Sequence, residues 1–285
     1  MIRLLVQIAI VSGKGGTGKT SFTAGLAPLF RDAIFVDCDV DAPNLGIILG
    51  HKVIERYDFV GNPRAKIDEV VCTACGKCLS ACRFDAIKKK DSKYYIDEID
   101  CEGCFTCGLV CPVDAISQES SKSGEWYISQ TKYGLLIHAQ LGIGEENSGK
   151  LVSILRNEAQ KYKSDWVIID GPPGIGCPLI SSLTGVDYAI IVTEPTYSAI
   201  HDMERVIQVA QHFNIPVAIV INKYDLNPEN TKKVEDFAQK THIPVLGKIP
   251  LDDTVYEAIR DCRPVTEFDS PAGKEIRQIA ERIKR

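Results

Sequence analysis

The apolar run at residues 4–9 leads into Gly13-Lys14-Gly15-Gly16-Thr17-Gly18-Lys19-Thr20 and then into a helix-forming stretch at 19–30. A strand at 4–11 that stops at a glycine-rich loop and restarts as a helix leaves the first backbone N–H groups of that helix unpaired. Phosphate suits such a place, because glycines let the backbone approach it and the helix end carries partial positive charge. The spacing then aims Lys19 at the β- and γ-phosphates and the Thr20 hydroxyl at Mg²⁺. A phosphate loop needs one lysine, yet this one carries a second, Lys14.

Strand-like runs return at 33–36, 166–170, 188–195, 217–223 and 245–250, with helical spacing between them. Continuous Val/Ile runs alternating with helices imply a parallel sheet covered on both faces, an α/β fold. Asp37 and Asp170 each end such a run, and Asp170 suits the acidic partner of a magnesium shell. With 285 residues and 45% hydrophobic content, the chain has enough apolar surface for one large core and a small module. A formal net charge of −5 gives no electrostatic reason to expect nucleic acid as a partner. The apolar stretches are strand-sized, and the start, MIRLLVQIAI, lacks the length and cleavage site of a signal peptide. The expected location is therefore the cytoplasm, without a membrane span.

Between residues 62 and 118 the βα rhythm stops, and eight of the eleven cysteines crowd in. Cys72, Cys75, Cys78 and Cys82 follow C-x₂-C-x₂-C-x₃-C spacing, and Cys101, Cys104, Cys107 and Cys111 repeat it. In a reducing compartment such density points to metal rather than disulfides. The double run is the two-cluster bacterial ferredoxin pattern, in which three close thiolates wrap one corner of a [4Fe–4S] cube and the fourth crosses to the other cube. Cys72, Cys75, Cys78 and Cys111 are thus expected to hold one cluster, and Cys82, Cys101, Cys104 and Cys107 the second. Zinc, which favours paired C-x₂-C knuckles, fits poorly. Arg83 follows Cys82 where the pattern has proline, whereas Cys111 keeps Pro112. That places a cation beside one cluster, in the direction of a higher potential.

The nucleotide-binding segments resemble the MinD/ParA/Mrp group of P-loop ATPases, which includes the nitrogenase iron protein. The residues that carry the resemblance are KGGTGKT (14–20), FVDCDVDAPNL (35–45), IIDGPPGIG (168–176) and GKIPLDDTVYEA (247–258). The resemblance implies a P-loop NTPase parallel sheet, split as 1–61 and 119–285 around an inserted α+β bacterial 2[4Fe–4S] ferredoxin-like domain at 62–118. It implies a nucleotide site of Gly13, Lys14, Gly15, Gly16, Thr17, Gly18, Lys19 and Thr20, with Asn222, Pro250 and Leu251 on the base side. Thr20, Asp37 and Asp170 are then the Mg²⁺ ligands, direct or through water, and Asp39 orients or deprotonates the attacking water. Asp41 is left as a loop residue. The surplus Lys14 is implied to reach the phosphates of a partner subunit in an ATP-bound homodimer. It would act with Lys19 in catalysis by adding positive charge where the transition state gathers negative charge.

Other features are open to more than one reading. INKYD (221–225) also matches the NKxD pattern of small GTPases, with Asp225 as guanine reader, while the family resemblance favours adenine and ATP. Cys177 follows Asp170 by seven residues, the spacing of a cluster-binding cysteine in the nitrogenase iron protein. No second cysteine pairs with it convincingly, so it is expected to be a nonligand that couples the switch to the insert. Cys38 and Cys262 are expected to be small buried hydrophobes. AERIKR closes a helix with Ile276, Ile279 and Ile283 on one face, a stripe too narrow to argue for membrane anchoring. Residues 138–150 read as a glycine-rich turn before a helix, with His138 structural. The chain as a whole is expected to be a slow, partner-stimulated ATPase whose ATP-driven dimerisation gates electron delivery to a redox or metallocofactor-assembly partner. An iron–sulfur scaffold or carrier, and a MinD-like spatial regulator with structural clusters, are the alternatives.

Overall fold

The computed structural model describes residues 5–120, 122–145 and 147–285. Leu4, expected to open the first strand, and Glu146 lie outside the described residues. In chain order the first elements are β1 (Val6–Ser12), α1 (Lys19–Leu26), β2 (Ala33–Asp37), α2 (Leu45–Leu49) and β3 (Lys52–Val60). The cysteine-rich stretch supplies β4 (Arg64–Ile67), α3 (Lys77–Ala81), β5 (Ile87–Lys90), β6 (Lys93–Ile96), α4 (Thr106–Leu109) and β7 (Ile116–Glu119). Then come β8 (Lys122–Gln130), β9 (Gly134–Leu141), α5 (Ser148–Ala159), β10 (Trp166–Pro173), α6 (Cys177–Leu183), β11 (Tyr188–Thr193) and α7 (Tyr197–His212). The chain closes with β12 (Val217–Asn222), α8 (Pro228–Thr241), β13 (Val245–Ile249), α9 (Thr254–Arg260) and α10 (Pro271–Ile283).

The chain divides into two compact units, one of residues 1–56, 126–140 and 148–285, the other of 57–125 and 141–147. Nine strands form one sheet in the order β13-β12-β11-β1-β10-β2-β9-β8-β3. Every pairing from β13 through β9 is parallel. The central strands are buried along almost their whole length, as apolar runs under helices on both faces must be. Helix α1 stops at Leu26, four residues short of the expected end, because Pro28 cannot continue the backbone ladder and the chain tightens into a 3₁₀ turn at Ala27–Leu29.

Strands β3, β8 and β9 are absent from the sequence reading. All but one residue of β3 is exposed, so it shows no apolar alternation to read. His138 lies within β9 and not in a turn, because residues 136–139 are buried beside β2. The stripe of Ile276 and Ile279 is fully buried on α10, which packs against β13. That face is used by the core. Among the described residues no helix is long and apolar enough to cross a membrane.

In the cysteine-rich unit β4 pairs with β7 and β5 with β6, both antiparallel. Its main apolar cluster is built on Ala65, Cys78, Ile87, Tyr94, Cys107 and Ile116. All eleven cysteines are free thiols. A small unit of this kind gains comparatively little from apolar burial, and disulfides, a metal group or a partner commonly supplement it.

Candidate functional site

Because β1, β10 and β2 are parallel neighbours, their C-terminal ends bring the glycine-rich loop, Asp170 and Asp37 to one edge, with Asp170 and Asp37 in register. The loop's geometry depends on its glycines. Gly18, the residue before α1, has φ 86°, and a Cβ there would collide with the Asn222 carboxamide. A Cβ on Gly13 would meet the backbone of Asp202 on α7.

Lys19, 6% exposed, pairs with Asp170 Oδ1 at 3.0 Å. The Thr20 hydroxyl donates to Asp170 Oδ2 at 2.7 Å, and the Thr23 hydroxyl donates to Oδ1 at 2.7 Å. Asp170 thus ties the first turn of α1 to β10. Asp37 accepts from the Asp39 N–H at 3.1 Å and from the Leu45 N–H at 3.0 Å, which anchors the 38–44 loop and the start of α2. Burial, and then the neighbouring Asp170, push the Asp37 carboxyl up to about 8 against the pull of Lys19. Burial also raises Asp39. A pair of buried carboxylates with one lysine is short of positive charge, which is the condition a divalent cation relieves.

A cavity of about 480 Å³ runs from this edge, lined by Gly15 to Thr20, Asp39, Asn222, Pro250 and Leu251. The Thr17 hydroxyl in its wall is buried without a hydrogen-bond partner, an orphaned group that a ligand oxygen would satisfy. Lys14 is not in this lining. Its Nζ donates to Ser198 Oγ at the start of α7, at 3.1 Å. Asn222 donates to the Thr17 carbonyl at 2.8 Å and Lys223 to the Gly16 carbonyl at 3.1 Å, so the NKYD segment braces the phosphate loop. Asp225 accepts from the Leu251 N–H at 2.8 Å and so holds the base-side loop.

Thr23, Ser198 and Lys223 were missed as functional candidates. Thr23 had a sequence sign, since it lies one helical turn beyond Lys19 and Thr20 on the same face. Ser198 had none, because only the tertiary fold brings α7 to the loop.

In the second unit the eight clustered cysteines line two separate cavities. Cys72, Cys75, Cys78 and Cys111 border one with Tyr94, and Cys82, Cys101, Cys104 and Cys107 border the other with Phe84 and Phe105. Each fourth cysteine faces the cavity of the other run. Backbone N–H groups of Ala74 and Ala115 donate to the sulfurs of Cys72 and Cys111 at 3.4 and 3.3 Å. The Thr106 hydroxyl lies 3.4 Å from the Cys104 sulfur and lowers that thiol's pKa, while burial raises those of Cys78 and Cys107. Among the described residues no three His, Cys, Asp or Glu side chains converge as ligands of a single ion. Outside this unit Cys38 is buried, whereas Cys177 opens α6 exposed to solvent. Cys262 is also exposed, contrary to expectation, because it sits in the turn after α9 with φ 51°.

The chain is 38% identical over 285 residues to an uncharacterized protein of Methanocaldococcus jannaschii, covering 99% of this chain and 97% of that one. It is 25% identical to an iron-sulfur cluster carrier protein of the same organism, over 99% of this chain and 85% of the relative. Among solved structures, the septum site-determining protein MinD of Pyrococcus horikoshii, complexed with Mg-ADP, matches with a TM-score of 0.62 and 21% identity, covering 99% and 97% of the two chains. A family model for the CobQ/CobB/MinD/ParA nucleotide binding domain matches residues 8–265, over strands, phosphate loop and acidic edge alike, and the chain belongs to that family.

Proposed function

We propose that this protein is a P-loop ATPase whose nucleotide cycle gates electron delivery by two [4Fe–4S] clusters in its cysteine-rich unit. The observation that carries the iron–sulfur part is the sorting of eight free thiols into two quartets around two cavities. The clusters, when bound, supply one-electron reduction and oxidation.

In the nucleotide site Lys19 neutralises phosphate charge, and Thr20, Asp170 and Asp37 are the groups that would hold Mg²⁺. Asp39 borders the cavity and orients the attacking water. Lys14, turned to Ser198 in one chain, is the residue left to meet the phosphates of a second copy once ATP brings two chains together. Asp225 is occupied by the base-side loop, which favours adenine over guanine.

Anaerobic purification followed by a redox titration with and without Mg-ATP tests the reading. A nucleotide-dependent shift in cluster potential is expected. The similarity to an iron-sulfur cluster carrier favours a second reading, in which the clusters are cargo. Transfer of iron and sulfide to an apo-acceptor, without a potential shift, would replace the first reading by the second.

A further inference from the structure

Two successive carbonyls of the phosphate loop are held by the end of β12. Lys223 Nζ donates to the Gly16 carbonyl and Asn222 Nδ2 to the Thr17 carbonyl. A trans peptide is planar, so its C=O and its N–H point opposite ways. A carbonyl held by Lys223 therefore fixes the direction of the Thr17 N–H, and one held by Asn222 fixes that of the Gly18 N–H. These are amides that a phosphate loop presents to its ligand. Gly16 and Gly18, at φ 82° and 86°, have no side chain to restrict the backbone, so the restraint has to come from outside the loop.

Lys223 is itself held. Its Nζ donates to Glu194 Oε2 at 3.1 Å, and among the described residues Lys223 is the only ion-pair partner of Glu194. The two side chains are 24% and 13% exposed, so water screens this pair less than a surface pair. Strand register brings them together. β11 and β12 run parallel with Thr193 beside Ile221, and Glu194 and Lys223 follow at the same sheet edge. The Glu194 carbonyl accepts from the Thr196 N–H at 2.8 Å, and the Asn230 carboxamide donates to the Pro195 carbonyl at 3.2 Å, which fixes the backbone on which the carboxylate stands. Lys223 borders the nucleotide cavity, whereas Glu194 is outside its lining. An ammonium on the rim of a polyphosphate site is drawn toward the phosphates. Glu194 opposes that pull and leaves Lys223 on the carbonyl.

We propose that Glu194 is a positioning residue of the phosphate loop. It acts through Lys223 and touches no ligand: by pairing with the ammonium it keeps Lys223 on the Gly16 carbonyl, and so holds the Thr17 N–H in one direction before nucleotide arrives. The phosphates then meet amides that need no reordering, which is the general advantage of a preformed site. The effect on affinity rests on the nucleotide reading above. The effect on the loop does not.

The test uses the full, cluster-loaded chain. In its nucleotide-free form Glu194→Gln should shift the backbone amide resonances of Thr17 and Gly18, while Asp236→Asn, which removes an exposed ion pair with Lys232 on α8, should leave them in place. Calorimetry with Mg-ADP should show affinity about three- to tenfold weaker in Glu194→Gln and in Lys223→Met, the range for one hydrogen bond lost from the loop. The double variant should lose no more than either single one, because the two residues act in series. Lys223→Arg keeps a charged donor for both partners and should retain most of the affinity. Unmoved loop amides in Glu194→Gln, unchanged or tighter Mg-ADP binding, or losses that add in the double variant would overturn the proposal. If the wild type binds no Mg-ADP while the loop amides shift as expected, the nucleotide reading fails and the positioning stands.

Discussion

Lys14 and Lys19 are five residues apart in one loop and do different things. Lys19 is buried against Asp170 and beside Thr20, whereas Lys14 is bonded to the hydroxyl of an exposed helix start. Lys19→Ala should weaken Mg-ATP binding itself, by roughly 1.5–3 kcal/mol for a lost charge-assisted phosphate contact, as read by calorimetry. Lys14→Ala should bind ATP nearly as the wild type does, yet fail to form the ATP-dependent dimer and lose most hydrolysis. Normal turnover in that variant would reduce Lys14 to a loop charge. His138 gives a prediction in pH. Its folded pKa of about 4 lies below the ordinary 6.5, with burial as the main cause, so the unfolded chain takes up the proton first. Stability contributed by the neutral ring is complete above pH 6.5 and is lost as pH falls from 6.5 toward 4, by an amount on the order of 2–3 kcal/mol. His138→Gln should flatten that part of the pH–stability curve. An unchanged slope between pH 6.5 and 4 in the variant would refute the assignment.

Elements differ in how much of their fate is written locally. Helix α1 needs only its flanking glycine and Pro28 to start and stop where it does. Helix α10 presents the stripe of Ile276 and Ile279, with Ile283 half-buried beyond them, and a stripe reads the same whether it meets lipid or a sheet. Its packing on β13 decides the matter. Ile279→Ala should therefore cost about 2–4 kcal/mol in a denaturant titration, the range for truncating a buried aliphatic chain. A change under about 0.5 kcal/mol, typical of a surface position, would mean that the stripe is not core.

At the scale of the whole molecule the prediction concerns stoichiometry. Two clusters per chain correspond to about eight irons, or about sixteen in a dimer, given four per cube. Cys177→Ser should leave that count unchanged, since Cys177 lies outside both quartets. A dimer that carries about twenty irons, falling to sixteen in the variant, would instead indicate a cluster shared across the twofold axis. If the cysteine-rich unit holds clusters as proposed, removing them should unfold it while the large sheet survives. Proteolysis after iron chelation reads this directly, with cleavage expected between residues 57 and 125.

Amino-acid order alone determined the phosphate loop, six of the parallel strands, Asp37 at the end of its strand, and the two cysteine runs, whereas Asp170, expected to end its strand, is followed by three more residues of β10. Each is encoded within a few neighbouring residues, by period, glycine placement or spacing. The tertiary structure alone decided what is assembled across distance. Ser198 reaches Lys14 and Asp225 reaches Leu251 only because parallel strands end at a common edge. The crossing of Cys82 and Cys111 was expected from the two-cluster ferredoxin pattern alone, and each borders the cavity of the other run. Strand β3 was not, since an exposed edge strand has no buried face to impose alternation. The contact of Glu194 with Lys223, and of Lys223 with Gly16, was equally hidden, because it joins three separate parts of the chain, and only sheet register sets them side by side.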